Sequence, residues 1–185
     1  MKKRTSKEIL SEALLELSST TPVDKITVKQ IVEASGLSLQ TFYNHFKDKY
    51  ELILWIHKSE GDRTIARLGQ DGYDYDDLIM DNIRFYLQHR EFMYNALNNT
   101  HGSVSYAEMS SDNAYRVWCE YILKHHGITE LPEEVDFDLK MYCYAFMRMT
   151  AEWAFHRTDI SLETFARYMK DAMPEKLKPY LVGKS

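Results

Sequence analysis

Three helix-start signals fall within one short stretch, TVKQIVEASGLSLQTFYNHFKDKYEL, at Thr27, Ser38 and Asp48. A side-chain oxygen at such a position accepts from a backbone N–H two or three residues on, and so fixes where a helix begins. Thr27 is followed at the right spacing by Gln30, and Asp48 by Glu51, the reciprocal partners of a capping box. Ile26 and Ile31 flank the first cap, and Leu37 and Phe42 the second, with the spacing of hydrophobic staples. Gly36 closes the first helix after about two turns, because it takes the left-handed stop conformation without strain. The chain here must run as short helix, tight turn, short helix, and the reading is a helix-turn-helix.

The same punctuation organises the rest. TSKEILSEALLELSST places Ile9, Leu10, Ala13, Leu14 and Leu17 at helical spacing behind a Thr5–Glu8 capping box, and Pro22 breaks the pattern. A longer helix over YELILWIHKSEGDRTIARL follows Asp48, and DGYDYDD reads as a solvated turn or, alternatively, a partner surface. Helices are expected from about Asp76 to Gln88, over EFMYNALNN and over AYRVWCEYILKHHG, with 98–103 as a loop. Pro132 suits the first turn of another helix, with Glu133, Glu134 and Asp136 at its positive end, running to about His156. Ser161 caps a last helix, with Ile160 and Phe165 stapled, and Pro174 stops it. No strand-like alternation occurs, and only 7 Gly and 4 Pro stand in 185 residues. The expected fold is all-α: a three-helix module over 1–50 and a helical regulatory and dimerisation domain over 51–185, with no repeat and no long linker.

Composition excludes several classes. No apolar run reaches the roughly 18 residues of a membrane span, and the basic start leads into an amphipathic helix, not a signal-peptide core. Cys119 and Cys143 lie far apart and in no CxxC or Cys/His cluster, which reads as a reduced, cytoplasmic protein. No Gly-rich phosphate loop, G-x-S-x-G or HExxH is present, so the chain reads as no enzyme, with no catalytic residues, metal or cofactor. His125 and His126 suit a helix C-terminus, and Glu152 with His156 suits an intrahelical hydrogen bond better than a metal site. Net charge is −5, yet residues 1–50 carry +2 and the remainder −7, which is compatible with a local phosphate-contacting surface.

The second helix of the pair carries the chemistry. Leu39, Phe42 and Phe46 are expected to face the core, leaving Gln40, Thr41, Tyr43, Asn44 and His45 outward. Gln or Asn can read adenine through two hydrogen bonds, and a Thr methyl can meet thymine in a major groove. Tyr43, His45 and the helix ends can reach phosphates, with Lys47 and Lys49 just beyond to neutralise them. The same pattern also fits a three-helix module that binds protein.

Thr27, Ile31, Ala34, Gly36, Ser38, Thr41, Phe42, Tyr43, Phe46 and Lys49 stand in step with the signature of the TetR family of bacterial regulators, which the segment Thr27–Leu52 resembles. It departs at Ser35, and at Gln40, where Gly or a basic residue is frequent; Gln40 is therefore a candidate for private sequence preference. The resemblance implies a homodimer that binds a pseudo-palindromic double-stranded operator, with effector binding in the carboxy-terminal domain changing the spacing of two reading heads. Carried over by position, the implied DNA contacts are Thr27, Ser38, Gln40, Thr41, Tyr43, Asn44, His45 and Lys49.

LKMYCYAFMRMTAEWAF, residues 139–155, is apolar nearly all round and so needs burial on every side. A second copy of the chain is the economical cover, and the resemblance implies a dimer bundle of the last two long helices. Phe146, Met149, Trp153, Phe165 and Met169 are the expected dimerisation residues. The expected function is a ligand-released repressor; the alternative is a regulator, activators included, switched by a partner protein. Operator, effector, pocket residues and regulated genes are not legible in the residues.

Overall fold

The computed structural model describes residues 4–100, 105–156 and 159–182. Among these, ten helices and no strand are found: α1 (Ser6–Ser18), α2 (Val28–Ser35), α3 (Leu39–Tyr43), α4 (Lys49–Arg67), α5 (Tyr75–Gln88), α6 (Arg90–Asn99), α7 (Tyr106–His126), α8 (Glu133–His156), α9 (Leu162–Asp171) and α10 (Lys178–Leu181). They cluster into two compact units, Met1–His57 with His89–Met109, and Lys58–Gln88 with Ser110–Ser185.

In the first unit the caps act as the sequence predicts. Thr5 and Glu8 close a reciprocal capping box at α1, and Thr27 and Gln30 close another at α2. Gly36 takes φ +70° and ends α2. Leu10 and Leu14 of α1, Ile31 of α2, Phe42 after the turn and Leu52 of α4 are fully buried together with Val23 and Ile26. Each such side chain contributes about 1.5–3 kcal/mol through burial. α6 packs on α1 in the same unit. Lys7 lies over the rings of Phe46 (5.5 Å) and Trp55 (5.9 Å), bringing the start of α1 onto α4.

The second unit is built on α5, α8 and α9. A buried relay joins them: the Tyr75 hydroxyl donates to the Tyr142 hydroxyl at 3.1 Å, which donates to the Met169 carbonyl at 2.8 Å. The relay satisfies two hydroxyls whose burial unpaired would cost about 1–3 kcal/mol each. Burial holds the Tyr142 phenol up at about 12 and pushes Tyr75 well above its ordinary value. The buried Cys143 thiol is likewise held up at about 12, and both cysteines are free thiols.

Several expectations change. DGYDYDD holds the expected turn over 71–74, but it is not fully solvated: Tyr73 and Tyr75 are buried, and Asp74 accepts from the backbone N–H groups of Asp76 (2.8 Å) and Asp77 (3.0 Å) to start α5. α7 begins at Tyr106, well before the run at 114–127, and its added turns bury the small polar residues Ser110 and Ser111. Asn98 and Asn99 belong to α6, and residues 101–103 of the expected loop lie outside the described residues. α10, one short turn with Pro179 near its start, follows Pro174 and was not expected. Leu39 is 47 % exposed and not in the core; as the first residue of a five-residue helix it has no preceding turn to pack beneath.

Candidate nucleic-acid interface

α3 is short, but its backbone turn continues past Tyr43. The N–H groups of His45 and Phe46 both reach the Phe42 carbonyl at 2.9 Å, so 39–46 still presents one continuous outer edge. Phe42 and Phe46 are buried beneath it, with ring centroids 5.8 Å apart. Gln40, Tyr43, Asn44 and His45 are exposed, and Thr41 is half-buried. Leu39 and Tyr43, one turn apart, are exposed together and add an apolar strip to this edge. A helix-initial Leu outside the core is the signal that sequence reasoning passed over.

The polar groups on this edge divide by what holds them. Gln40 Nε2 donates to Asn44 Oδ1 at 2.8 Å, so the two amides form one hydrogen-bonded pair along the helix. That contact leaves the Gln40 carbonyl oxygen and the Asn44 amide hydrogens for outside partners. Ser38 Oγ accepts from Thr41 N at 3.1 Å and lies 2.9 Å from Thr41 Oγ1. Ser38 is thus the cap of α3 first. Thr27 Oγ1 accepts from Gln30 N at 3.2 Å and donates to Gln30 Oε1 at 2.8 Å. Its hydroxyl proton is committed to the cap, so the outward-facing donors at this end are the first backbone N–H groups of α2.

Lys49 is placed otherwise. Its ammonium donates to the carbonyls of Val23 (2.9 Å), Asp24 (2.7 Å) and Ile26 (2.7 Å). An ammonium has three donors, and all three are used. The Lys49 side chain therefore points to the α1–α2 connection, not outward. Burial lowers its pKa, against the opposing pull of the Asp24 carboxylate. Among the described residues of the module, the exposed cations are Arg4, Lys25, Lys29 and Lys47.

In the second unit, α8 carries Phe137 (65 % exposed), Met141 (58 %) and Met149 (43 %) in one stripe, with Tyr168 of α9 (52 %) beside it. Met141, Met149 and Tyr168 edge an apolar groove of about 480 Å³. Of the expected dimerisation residues, Met149 lies on this face and Phe146 is half-buried. Trp153, Phe165 and Met169 are buried within the chain. Trp153 stacks on Phe165 at 4.6 Å and 7°, and its indole N–H donates to the Ile160 carbonyl at 3.0 Å. They reach the groove as its floor, because the α8–α9 seam consumes the apolar sides that the periodicity had assigned to a partner. Phe137, Met141 and Tyr168 were missed: Phe137 and Tyr168 lie outside the run at 139–155, and Met141 lies near its start, beside the charged Lys140.

Among the described residues, no helix is long and apolar enough to cross a membrane, and no group of three or more His, Cys, Asp and Glu is placed to hold a metal ion.

Residues 9–56 match the family model for bacterial regulatory proteins of the tetR family. The HTH-type dhaKLM operon transcriptional activator DhaS of Lactococcus lactis subsp. lactis (strain IL1403) is 30% identical over 70 residues, spanning 38% of this chain and only 35% of that protein. The structure of a dihydroxyacetone kinase operon activator DhaS is similar at TM-score 0.65 and 17% identity, over 95% of this chain and 97% of that one. A TetR transcriptional regulator from Rhodococcus sp. RHA1 is similar at TM-score 0.63 and 15% identity, over 89% and 94%. Thermus thermophilus FadR, a repressor in complex with lauroyl-CoA, is similar at TM-score 0.56 and 16% identity, over 97% of both chains. These structural likenesses establish a shared fold, and the matched module at 9–56 coincides with α1, α2, α3 and the start of α4. The amino-terminal helix-turn-helix at residues 9–56 is thus a module of the kind found in bacterial regulatory proteins of the tetR family.

Proposed function

We propose that this regulator binds a two-fold operator as a homodimer, acts as a repressor, and is released by an effector taken up in its second unit. The observation that carries the DNA half is the outer edge of residues 39–46, where two amides, a hydroxyl, an imidazole and a phenol stand over a buried Phe42–Phe46 base. Gln40 and Asn44 read base edges, and the exposed Leu39 meets a thymine methyl. Tyr43, His45 and the amide end of α2 hold phosphates, with Lys47 supplying charge. Thr27, Ser38 and Thr41 act chiefly by fixing the two helix starts.

The dimer half is supported by the Phe137–Met141–Met149 stripe with Tyr168, apolar surface of the kind that marks an interface. Paired heads must fall about 34–36 Å apart, or a multiple, to enter successive major grooves. The effector half is supported by Thr150, whose hydroxyl is fully buried with no hydrogen-bond partner among the described protein groups. An effector's polar atom would satisfy it. That FadR is a repressor bound to lauroyl-CoA is in keeping with this arm.

A second reading is an activator switched by a partner protein. The likeness to DhaS, an operon activator matched in both sequence and fold, favours the activator half. Selection of bound sequences from random duplex DNA, followed by a reporter driven through the selected site, tests both. A palindrome with transcription falling on expression is the result expected. A palindrome with rising transcription transfers the conclusion to the activator, and no selected sequence overturns operator binding itself.

A further inference from the structure

Lys49 stands at the first residue of α4, where the family resemblance places a DNA contact, yet its ammonium is sunk among three backbone carbonyls. The carbonyls belong to one turn. Val23 and Ile26 are fully buried, Lys25 N donates to the Pro22 carbonyl at 2.9 Å, and Ile26 N donates to the Val23 carbonyl at 3.3 Å. The Val23 carbonyl thus accepts from both Ile26 N and the ammonium, and the ammonium also reaches the Asp24 and Ile26 carbonyls. The residue after the turn is Thr27, the cap of α2.

At the other end the backbone of Lys49 is equally fixed. Asp48 Oδ1 accepts from Tyr50 N and Glu51 N, both at 2.9 Å, and Glu51 Oε2 accepts from Lys47 N at 2.7 Å. Lys49 thus ties a rigidly capped helix start to the entry of the helix that precedes the reading edge.

We propose that Lys49 is a positioning residue: its ammonium cross-links the Val23–Ile26 turn to the start of α4 and sets the angle at which α2 and α3 are presented to DNA. It touches no phosphate. The inference rests on the operator-binding reading and assigns its geometry to a group inside the module. Lysine suits the place because a tetrahedral ammonium can send three donors to three converging carbonyls. A planar guanidinium has its donors spread in one plane and is larger, so it matches this compact site poorly, although it is the better phosphate ligand.

The experiment uses the full chain, a duplex selected by the wild-type protein and a scrambled duplex. Dissociation constants are measured against salt, and the active fraction is measured by stoichiometric titration. For Lys49→Met, affinity for the selected duplex falls about tenfold or more, the size of losing one well-placed base contact. Affinity for scrambled duplex and the salt slope stay near wild type. Lys49→Arg shows a loss of the same kind although the charge is kept. Lys47→Ala, in contrast, weakens both duplexes and lowers the salt slope by about 0.9.

The proposal is overturned if Lys49→Met weakens both duplexes together with that drop in slope, which is the signature of a phosphate contact. It is also overturned if only the active fraction falls, which is the signature of plain instability. If Lys49→Met does not fold, Lys49→Arg decides alone: full operator affinity there sinks the proposal. A wild-type protein that selects no sequence refutes the operator reading and is recognisable before any variant is made.

Discussion

At the scale of single residues, the Gln40–Asn44 hydrogen bond changes how the reading edge should respond to mutation. Two independent base contacts would show additive losses, whereas groups that share a hydrogen bond do not add. Each amide fixes the rotamer of the other at 2.8 Å, so removing one frees the partner to swing. Gln40→Ala and Asn44→Ala should each cost about 1–3 kcal/mol of operator affinity. The double variant should cost clearly less than their sum, with a coupling of about 0.5 kcal/mol or more. Additive losses in a double-mutant cycle on the selected duplex would show that the pair is not formed when DNA is bound. Thr150 poses the opposite problem, since its buried hydroxyl has no partner among the described protein groups. Thr150→Val removes the unpaired group at nearly constant shape and should raise stability by about 1 kcal/mol. It should also blunt release by the effector, if the hydroxyl is its anchor. A lower melting temperature in thermal unfolding would show that the hydroxyl is in fact satisfied.

At the scale of elements, local chemistry sets the helix starts and long-range packing sets the ends and faces. Thr5, Thr27, Ser38 and Ser161 cap where they were read to cap, because a cap needs only its own next three residues. The start of α7 was illegible because Ser110 and Ser111 are buried through tertiary contact, which no local pattern encodes. The inward turn of Lys49 was illegible for the same reason, its partners lying more than twenty residues upstream. Gly36 shows the local rule at work. At φ +70° a Cβ would meet nothing within 4 Å, so only the backbone conformation opposes a larger residue. Gly36→Ala should therefore cost about 1–2 kcal/mol of stability, the strain of one left-handed residue, while leaving operator affinity near wild type. A much larger loss in denaturant unfolding would mean that the turn is also packed.

At the scale of the whole molecule, the proposed operator reading links DNA recognition to self-association, since one short reading edge offers few base contacts and a palindrome needs two. The buried Trp153–Phe165 stack and the exposed Met141–Met149 stripe make separable claims about how two copies meet. Met141→Glu puts a carboxylate on a face already exposed in the single chain, so the fold should survive. Opposite a second copy, the same carboxylate would be buried without a partner, which costs several kcal/mol per ion. Sedimentation should then move from twice the chain mass to the chain mass, with the helical circular-dichroism signal unchanged. Operator affinity should fall by orders of magnitude, because each head must now bind alone, while the weak affinity for scrambled duplex persists. Phe165→Glu should behave differently: it buries the charge inside each chain and should lower the melting temperature whatever the oligomeric state. If Met141→Glu remains a dimer and Phe165→Glu dissociates without losing stability, the face that joins two copies runs through the α8–α9 seam and not along the stripe.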